Sequence, residues 1–181
     1  MPTSKYSISQ KLLASIFLLL TFIQVGYAAD PILDAHASKL QGAKEYTLKV
    51  AESMPDSLFH FRPVADEMTF AEQLVHISEN LYWLSSTYLS EQPNPITEKA
   101  NAINMSKTEI MAYVSKAYDY AIASINSSQP ESLTKEFDWN GRKLNKIQFL
   151  NLIQDHQTHH RGQILVYLRI KGITPPRYSG W

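Results

Sequence analysis

Apolar residues recur at helical spacing through most of this chain. Between Thr69 and Tyr88 they fall at positions 70, 74, 77, 81, 84 and 88, which places them on one face of a helix with about 3.6 residues per turn. Thr69, followed three residues later by Glu72, is the capping-box pattern that starts a helix. Pro93 and Pro95 close the run. We therefore predict a helix that begins at Thr69 and buries one face.

Three other segments show the same period. One spans about Pro31–Met54, another begins at Ser106 and ends before Pro130, and the last spans about Lys146–Lys171 with Asn145 as its cap. Four long amphipathic helices can bury their apolar faces only against one another. The pattern therefore predicts an all-α fold, an antiparallel four-helix bundle.

The segment before the last helix has a different pattern. Residues 133–144 alternate in polarity around the dipeptide Asn140-Gly141, which is typical of a two-residue turn between antiparallel strands. An isolated hairpin is only marginally stable in water. We predict a small β-hairpin that packs against the helices.

The first 28 residues have the pattern of a secretory signal peptide. Lys5 and Lys11 supply positive charge, an apolar run covers residues 12–23, and Gly26 and Ala28 place small residues before a cleavage point. The apolar run is shorter than the ~20 residues that a membrane-spanning helix needs. We therefore favour a signal peptide over a membrane anchor.

This assignment sets the expected domains and location. It gives a signal peptide over residues 1–28 and one helical-bundle domain over residues 29–181. The protein is then exported to a bacterial periplasm or the cell exterior, and the mature chain is not embedded in a membrane.

Composition removes several classes of function. The chain has no cysteine, which excludes disulfides, thiolate metal sites and a cysteine nucleophile. Lys plus Arg and Asp plus Glu are balanced at 17 each, so the sequence lacks the basic charge typical of nucleic-acid binding. We expect no nucleic-acid partner.

Candidate chemistry is concentrated in the last helix, near the C-terminus of the chain. His156 and His160 are four residues apart, so they lie one above the other on one helix face. That face is otherwise apolar, with Phe149, Ile153 and Ile164 in the same arc. Burying two imidazoles is costly unless their nitrogens have partners. A divalent metal ion bound by both would supply them.

His76 is the best third ligand. It lies in the middle of the helix that starts at Thr69, near the edge of its apolar face, and a bundle can bring it opposite the last helix. Three protein imidazoles leave a coordination position open, as in catalytic metal sites. Imidazole ligands suit zinc, nickel, iron or copper. Histidines that only pack in the core are the alternative explanation.

The neighbours of the histidine pair refine the prediction. Gln157 stands where a zinc protease motif has glutamate, which argues against that chemistry. His159 lies off the face and is predicted to pack or to support a ligand. Arg161 is expected to point away from the core into an ion pair. Gly162 suggests a close helix crossing or access to the site.

Two polar residues and two acidic residues on these helices remain to be placed. Gln163 and Asn80 lie near the core faces, where they can orient a ligand or a bound water, or are simply polar residues at the core rim. Glu72 and Glu79 are not well aimed at the histidines, so the sequence provides no obvious general base.

These motifs together resemble the DinB-like (YfiT-type) superfamily of metal-binding four-helix bundles. The resemblance covers roughly residues 30 to 181. It is carried by Phe61-Arg62-Pro63, Glu72-Gln73-Leu74-Val75-His76-Ile77, His156-Gln157-Thr158-His159-His160-Arg161-Gly162-Gln163, Tyr167-Leu168-Arg169 and Gly172-Ile173-Thr174-Pro175-Pro176.

The resemblance implies a site and an activity. It assigns His76, His156 and His160 as metal ligands and implies a homodimer. Characterised relatives include thiol transferases that use bacillithiol or mycothiol, in which the metal lowers the pKa of the thiol. The implied function is a metal-dependent thiol S-transferase or hydrolase acting on a small molecule. The relatives work in the cytosol, whereas this chain has the pattern of an exported protein.

Two other functions fit the same residues. One is a module that binds a metal or a small ligand without turnover. The other is a structural bundle whose histidines only pack.

Overall fold

A computed structural model describes residues 30–90 and 93–181 of the chain. The described part is mostly helical, as predicted, with a hairpin before the last helix. The predicted signal peptide lies outside the described residues. The elements are α1 Pro31–Ser53, α2 Phe70–Leu84, α3 Lys107–Asn126, β1 Glu136–Trp139, β2 Arg142–Asn145 and α4 Lys146–Ile170.

Local side chains start each of the long helices. The Asp30 side chain accepts hydrogen bonds from two backbone amides at the start of α1. Capping boxes begin the other three: the Ncap side chain accepts from the backbone three residues on, and that residue's side chain accepts from the Ncap backbone. The predicted caps Thr69, Ser106 and Asn145 are confirmed.

The helices bury one continuous apolar core. α2 packs against α3 and α4, and α1 packs against the same two helices. Five of the six residues in the predicted stripe of α2 are buried, and Tyr88 is partly buried against the core. As a result, α4 has two inward-facing sides, one toward α2 and one toward α1.

The hairpin has the turn that its sequence predicts. β1 and β2 pair antiparallel, with Phe137 opposite Leu144. Asn140 and Gly141 take positive φ values of 53° and 78°, as a two-residue turn of this hand requires. Phe137 and Trp139 pack against Phe149 of α4 with ring centroids 6.0 and 5.6 Å away.

Beyond α2 the chain departs from the regular helix that was predicted to reach Pro93. Residues Ser85–Ser90 form a wider π-helical turn, and residues 93–106 connect onward to α3 with one short 3-10 turn, Ala102–Asn104. Within residues 30–90 and 93–181, none of the helices combines the length and the apolar character needed to cross a bilayer.

Candidate metal centre

The three histidines predicted as metal ligands meet where α2 contacts α4. His76 comes from the middle of α2, and His156 and His160 come from successive turns of α4. Each offers one ring nitrogen, and these nitrogens all lie within 4.8 Å of one another. A group of this composition can hold a divalent metal ion.

The closest pair of nitrogens has the spacing of two ligands on one ion. His76 Nε2 and His156 Nε2 are 3.2 Å apart. Two nitrogens that each bind a tetrahedral zinc ion at about 2.0–2.1 Å are about 3.3 Å apart. The other ring nitrogen of His156, Nδ1, is buried and has no hydrogen-bond partner within the described ranges, so the contacts of this ring are made at Nε2. The donor set therefore fits a divalent ion.

The local environment lowers the pKa of all three imidazoles, which favours their neutral form. Burial, followed by the nearby His160, His76 and His159, lowers the pKa of His156 to about 4. Burial and the neighbouring imidazoles also lower the pKa of His160 to about 4. Burial lowers the pKa of His76 as well, against the opposing effect of Glu79. Neutral imidazoles have the lone pair that a metal requires.

Gln73 of α2 also belongs to this centre, although the sequence analysis gave it no role. Its Oε1 lies 2.6 Å from His160 Nδ1, and its side chain is 1% exposed. Its Nε2 donates to Gln163 Oε1 at 2.5 Å, so Gln163 is connected to His160 through Gln73. Gln73 precedes His76 by three residues and shares its helix face, which is the sequence signal that could have identified it.

The prediction for Arg161 was wrong. Its side chain points inward and is 5% exposed, with Nη1 donating to Gln157 Oε1 and to Thr47 Oγ1. Its guanidinium also lies 5.4 Å from the centre of the Tyr46 ring. Arg161 faces the side of α4 that packs against α1, because that side is also buried.

A cavity of about 390 Å³ opens beside His76. One wall is α2, which contributes Glu79, Asn80 and Trp83, and the other comes from positions 94 and 96–99 of the connection to α3. A neighbouring cavity of about 380 Å³ is lined by the same His76 and Glu79. His76 of the cluster is therefore accessible to a small molecule, and Asn80 is one of the residues that would meet it.

The two carboxylates of α2 have different environments. Glu72 accepts hydrogen bonds from the Thr69 backbone amide at 2.7 Å, which lowers its pKa and assigns it to the helix cap. Glu79 lines the cavity with His76, and its Oε1 accepts from the Ala100 amide at 3.1 Å. Both carboxylates line the second cavity beside His76, and the expectation that neither is aimed at the histidines stays a prediction.

Trp83 lines the cavity and belongs to a cluster of aromatic rings. Trp83 is 42% exposed and is supported by Trp139 of the hairpin, with ring centroids 5.4 Å apart. Tyr88 stacks on Phe149 at 3.8 Å, and Tyr82 packs in the core. The hairpin therefore covers the helices and holds Trp83 at the cavity.

His159 and Gly162, which lie close in sequence to His156 and His160, are on the surface. His159 is exposed, and its ring meets the edge of the His160 ring at a centroid distance of 5.0 Å. A Cβ added at Gly162 would meet nothing within 4 Å. The predicted close crossing at Gly162 is therefore absent from the described part of the chain.

Comparison with known proteins bears on the family to which this chain belongs. A family model described as the DinB family matches residues 33–180. The chain belongs to the DinB family. The DinB resemblance identified from the sequence motifs is thus confirmed, and the match extends over all four helices and the hairpin.

Individual DinB relatives share the fold at low identity. A curated Bacillus subtilis protein, "Uncharacterized protein YjoA", is 22% identical over 134 residues, which cover 72% of this chain and 85% of that protein. The crystal structure of a DinB-like protein, YjoA from Bacillus subtilis, has a TM-score of 0.64 and 23% identity, covering 80% of this chain and 96% of the other. A DinB-like protein from Bacillus cereus has a TM-score of 0.68 and 21% identity, covering 81% and 97%.

Proposed function

We propose that this protein is an exported, divalent-metal-dependent enzyme, a thiol S-transferase or hydrolase, with His76, His156 and His160 as its metal ligands. The observation that carries the proposal is the convergence of three neutral imidazoles beside a cavity. Three protein ligands leave room for a substrate or water on the ion, which is the arrangement of catalytic sites. Zinc, nickel and iron all suit this donor set.

The residues around the cavity support chemistry on a small molecule. A divalent ion bound by the histidines would supply Lewis acidity and lower the pKa of a coordinated water or thiol. The Glu79 carboxylate lies in the same cavity as His76 and can accept a proton there. The exposed face of Trp83 offers an apolar surface for the substrate.

Metal content tests the ligand assignment. Purified protein equilibrated with zinc or nickel and then desalted should retain about one ion per chain. His76→Ala, His156→Ala and His160→Ala should each retain much less, because two remaining imidazoles bind weakly. His60→Ala is the matched control, since His60 is exposed in the loop between α1 and α2. If His160→Ala kept its full metal content, the ligand assignment would be refuted.

Turnover tests the catalytic part of the proposal. The metal-loaded protein should accelerate the reaction of a model electrophile with an added thiol, or the hydrolysis of an activated ester. The acceleration should be lost in His76→Ala and kept in His60→Ala. Full metal binding with no turnover of any such substrate would instead favour a non-catalytic metal- or small-ligand-binding module.

Location and assembly complete the proposal. We propose that residues 1–28 are a signal peptide, that residues 29–181 form one antiparallel four-helix bundle, and that the mature protein is a homodimer. An N-terminal sequence beginning at Ala29 in protein recovered from the periplasm or the medium would support export. An intact N-terminus in cytoplasmic protein would contradict it, and light scattering would test the dimer.

A further inference from the structure

Gln73 connects the metal centre to a hydrogen-bond chain of fixed polarity. We propose that it is a positioning residue that holds His160 in the Nδ1–H tautomer and thereby directs His160 Nε2 to the metal, an inference that rests on the proposed metal site. The contacts are His160 Nδ1 to Gln73 Oε1 at 2.6 Å, Gln73 Nε2 to Gln163 Oε1 at 2.5 Å, and Gln73 Nε2 to the Tyr167 hydroxyl at 3.4 Å.

Tyr167 determines which groups donate and which accept in this series of hydrogen bonds. Its hydroxyl lies 2.9 Å from the backbone carbonyl oxygen of Met68, which can only accept a hydrogen bond. The other acceptor nearby is a carboxylate oxygen of Glu67 at 3.4 Å. The single hydroxyl proton is directed to one of these acceptors, so toward Gln73 the Tyr167 oxygen can only accept. The group of Gln73 that faces Tyr167 is therefore the NH₂ group.

This orientation determines where His160 carries its proton. With its NH₂ group toward Tyr167, Gln73 presents Oε1 to His160 Nδ1. An amide oxygen only accepts, so Nδ1 must carry the hydrogen. A neutral imidazole has one N–H group, which leaves the lone pair on Nε2. The opposite amide orientation would place two acceptors, Gln73 Oε1 and the Tyr167 oxygen, against each other.

The contacts of Gln163 are consistent with the same donor and acceptor assignment for Gln73. Its Oε1 accepts from Gln73, so its Nε2 points the other way, where it lies 3.3 Å from Nε2 of the exposed His159. His159 and Gln163, which are not proposed ligands, thus extend the chain from the centre to the surface. Gln73 is the most deeply buried member, 1% exposed against 4% for Tyr167, and it is the one that contacts His160, so its loss should matter most.

Tautomer populations in the metal-free protein test the proposal directly. Nitrogen-15 NMR of the histidine rings should show the His160 proton on Nδ1. Gln73→Met keeps a side chain of similar length without hydrogen-bonding groups, and should remove the preference for Nδ1–H. It should also weaken zinc binding by about 10- to 100-fold, as loss of a partner to a ligating histidine typically does.

A second variant and a control keep the test independent of folding defects. Tyr167→Phe leaves Gln73 in place but removes the acceptor that orients it, so it should reduce the Nδ1–H population of His160 and weaken zinc binding by a smaller factor. Gln41→Met replaces an amide that is exposed on α1 and should change neither quantity.

The outcomes separate this inference from the proposed function. If the His160 proton of the wild-type protein lies on Nε2, or if Gln73→Met keeps both the Nδ1–H tautomer and the zinc affinity, the inference is overturned. Because the tautomer is read without metal, a wild-type protein that shows Nδ1–H at His160 but binds no zinc would refute the proposed function and support the orientation by Gln73.

Discussion

Replacing Gln157 with leucine should remove an important acceptor from a buried cation. Arg161 is 5% exposed, and its guanidinium donates to Gln157 Oε1, to Thr47 Oγ1 at 3.3 Å and to Thr158 Oγ1 at 3.3 Å. In the described part of the chain no carboxylate forms an ion pair with it. Neutral acceptors and the Tyr46 ring therefore do most to offset the cost of burying this charge.

The hydrogen bonds of Gln157 indicate how much stability its replacement should cost. A hydrogen bond to a charged group contributes about 1.5–3 kcal/mol. Gln157 Oε1 also accepts from the Tyr118 hydroxyl at 2.9 Å, but Thr47 Oγ1 lies 3.0 Å from the same hydroxyl and can replace it. We expect Gln157→Leu to lower the free energy of unfolding by about 2–3 kcal/mol, chiefly through Arg161.

A double-mutant cycle isolates this contribution. Arg161→Met removes the cation and should cost about 1–2 kcal/mol. In the double variant Gln157→Leu/Arg161→Met no charge remains to be satisfied, so its loss should be smaller than the sum of the single losses by about 1–2 kcal/mol. Urea unfolding followed by circular dichroism measures all four proteins.

An exposed amide provides the control. Gln41→Leu on α1 should stay within about 0.5 kcal/mol of the wild type. A loss of under about 0.5 kcal/mol for Gln157→Leu, or strict additivity in the cycle, would refute the claim that Gln157 offsets the burial of Arg161.

Two further predictions concern glycines and pH. Gly162→Ala should raise the free energy of unfolding by about 0.5–1 kcal/mol, because Gly162 is helical with open space around it. Gly141→Ala should lower the free energy of unfolding by about 1 kcal/mol, because φ at Gly141 is 78°. Urea midpoints of the two variants that shift in the same direction would contradict this. The pKa of His156 and that of His160 are lowered by burial to about 4, below about 6.5 in an unfolded chain. The unfolded metal-free chain therefore binds more protons in this interval, and stability should fall as the pH drops from about 6.5 toward 4. The urea midpoint should fall less steeply with decreasing pH in His156→Gln than in the wild type. The same pH dependence in both proteins would contradict the burial of neutral imidazoles.

Features controlled by neighbouring residues could be predicted from the sequence. The caps at Thr69, Ser106 and Asn145 each use a side chain within three residues of its backbone partner, so their geometry is local. The Asn140-Gly141 turn is local for the same reason, since both residues tolerate positive φ. The i, i+4 spacing likewise placed His156 beside His160.

Features that depend on which helices meet could not be predicted in the same way. A helical wheel gives the direction of Arg161 relative to His160 but not what lies there. The structure shows that α1 covers that side, with Thr47 as a partner. The contact between Gln73 and His160 depends on the relative height of α2 and α4, and the cavity depends on the connection after α2. Neither is encoded in the period of a single helix.

X-ray absorption spectroscopy of the zinc-loaded protein tests the central claim most directly. The account predicts about one zinc ion per chain with three imidazole nitrogens at about 2.0–2.1 Å and one further light atom, and loss of one imidazole from the spectrum of any His76→Ala, His156→Ala or His160→Ala protein that still binds zinc. A zinc shell of oxygen atoms alone, or an unchanged imidazole count in these variants, would contradict it.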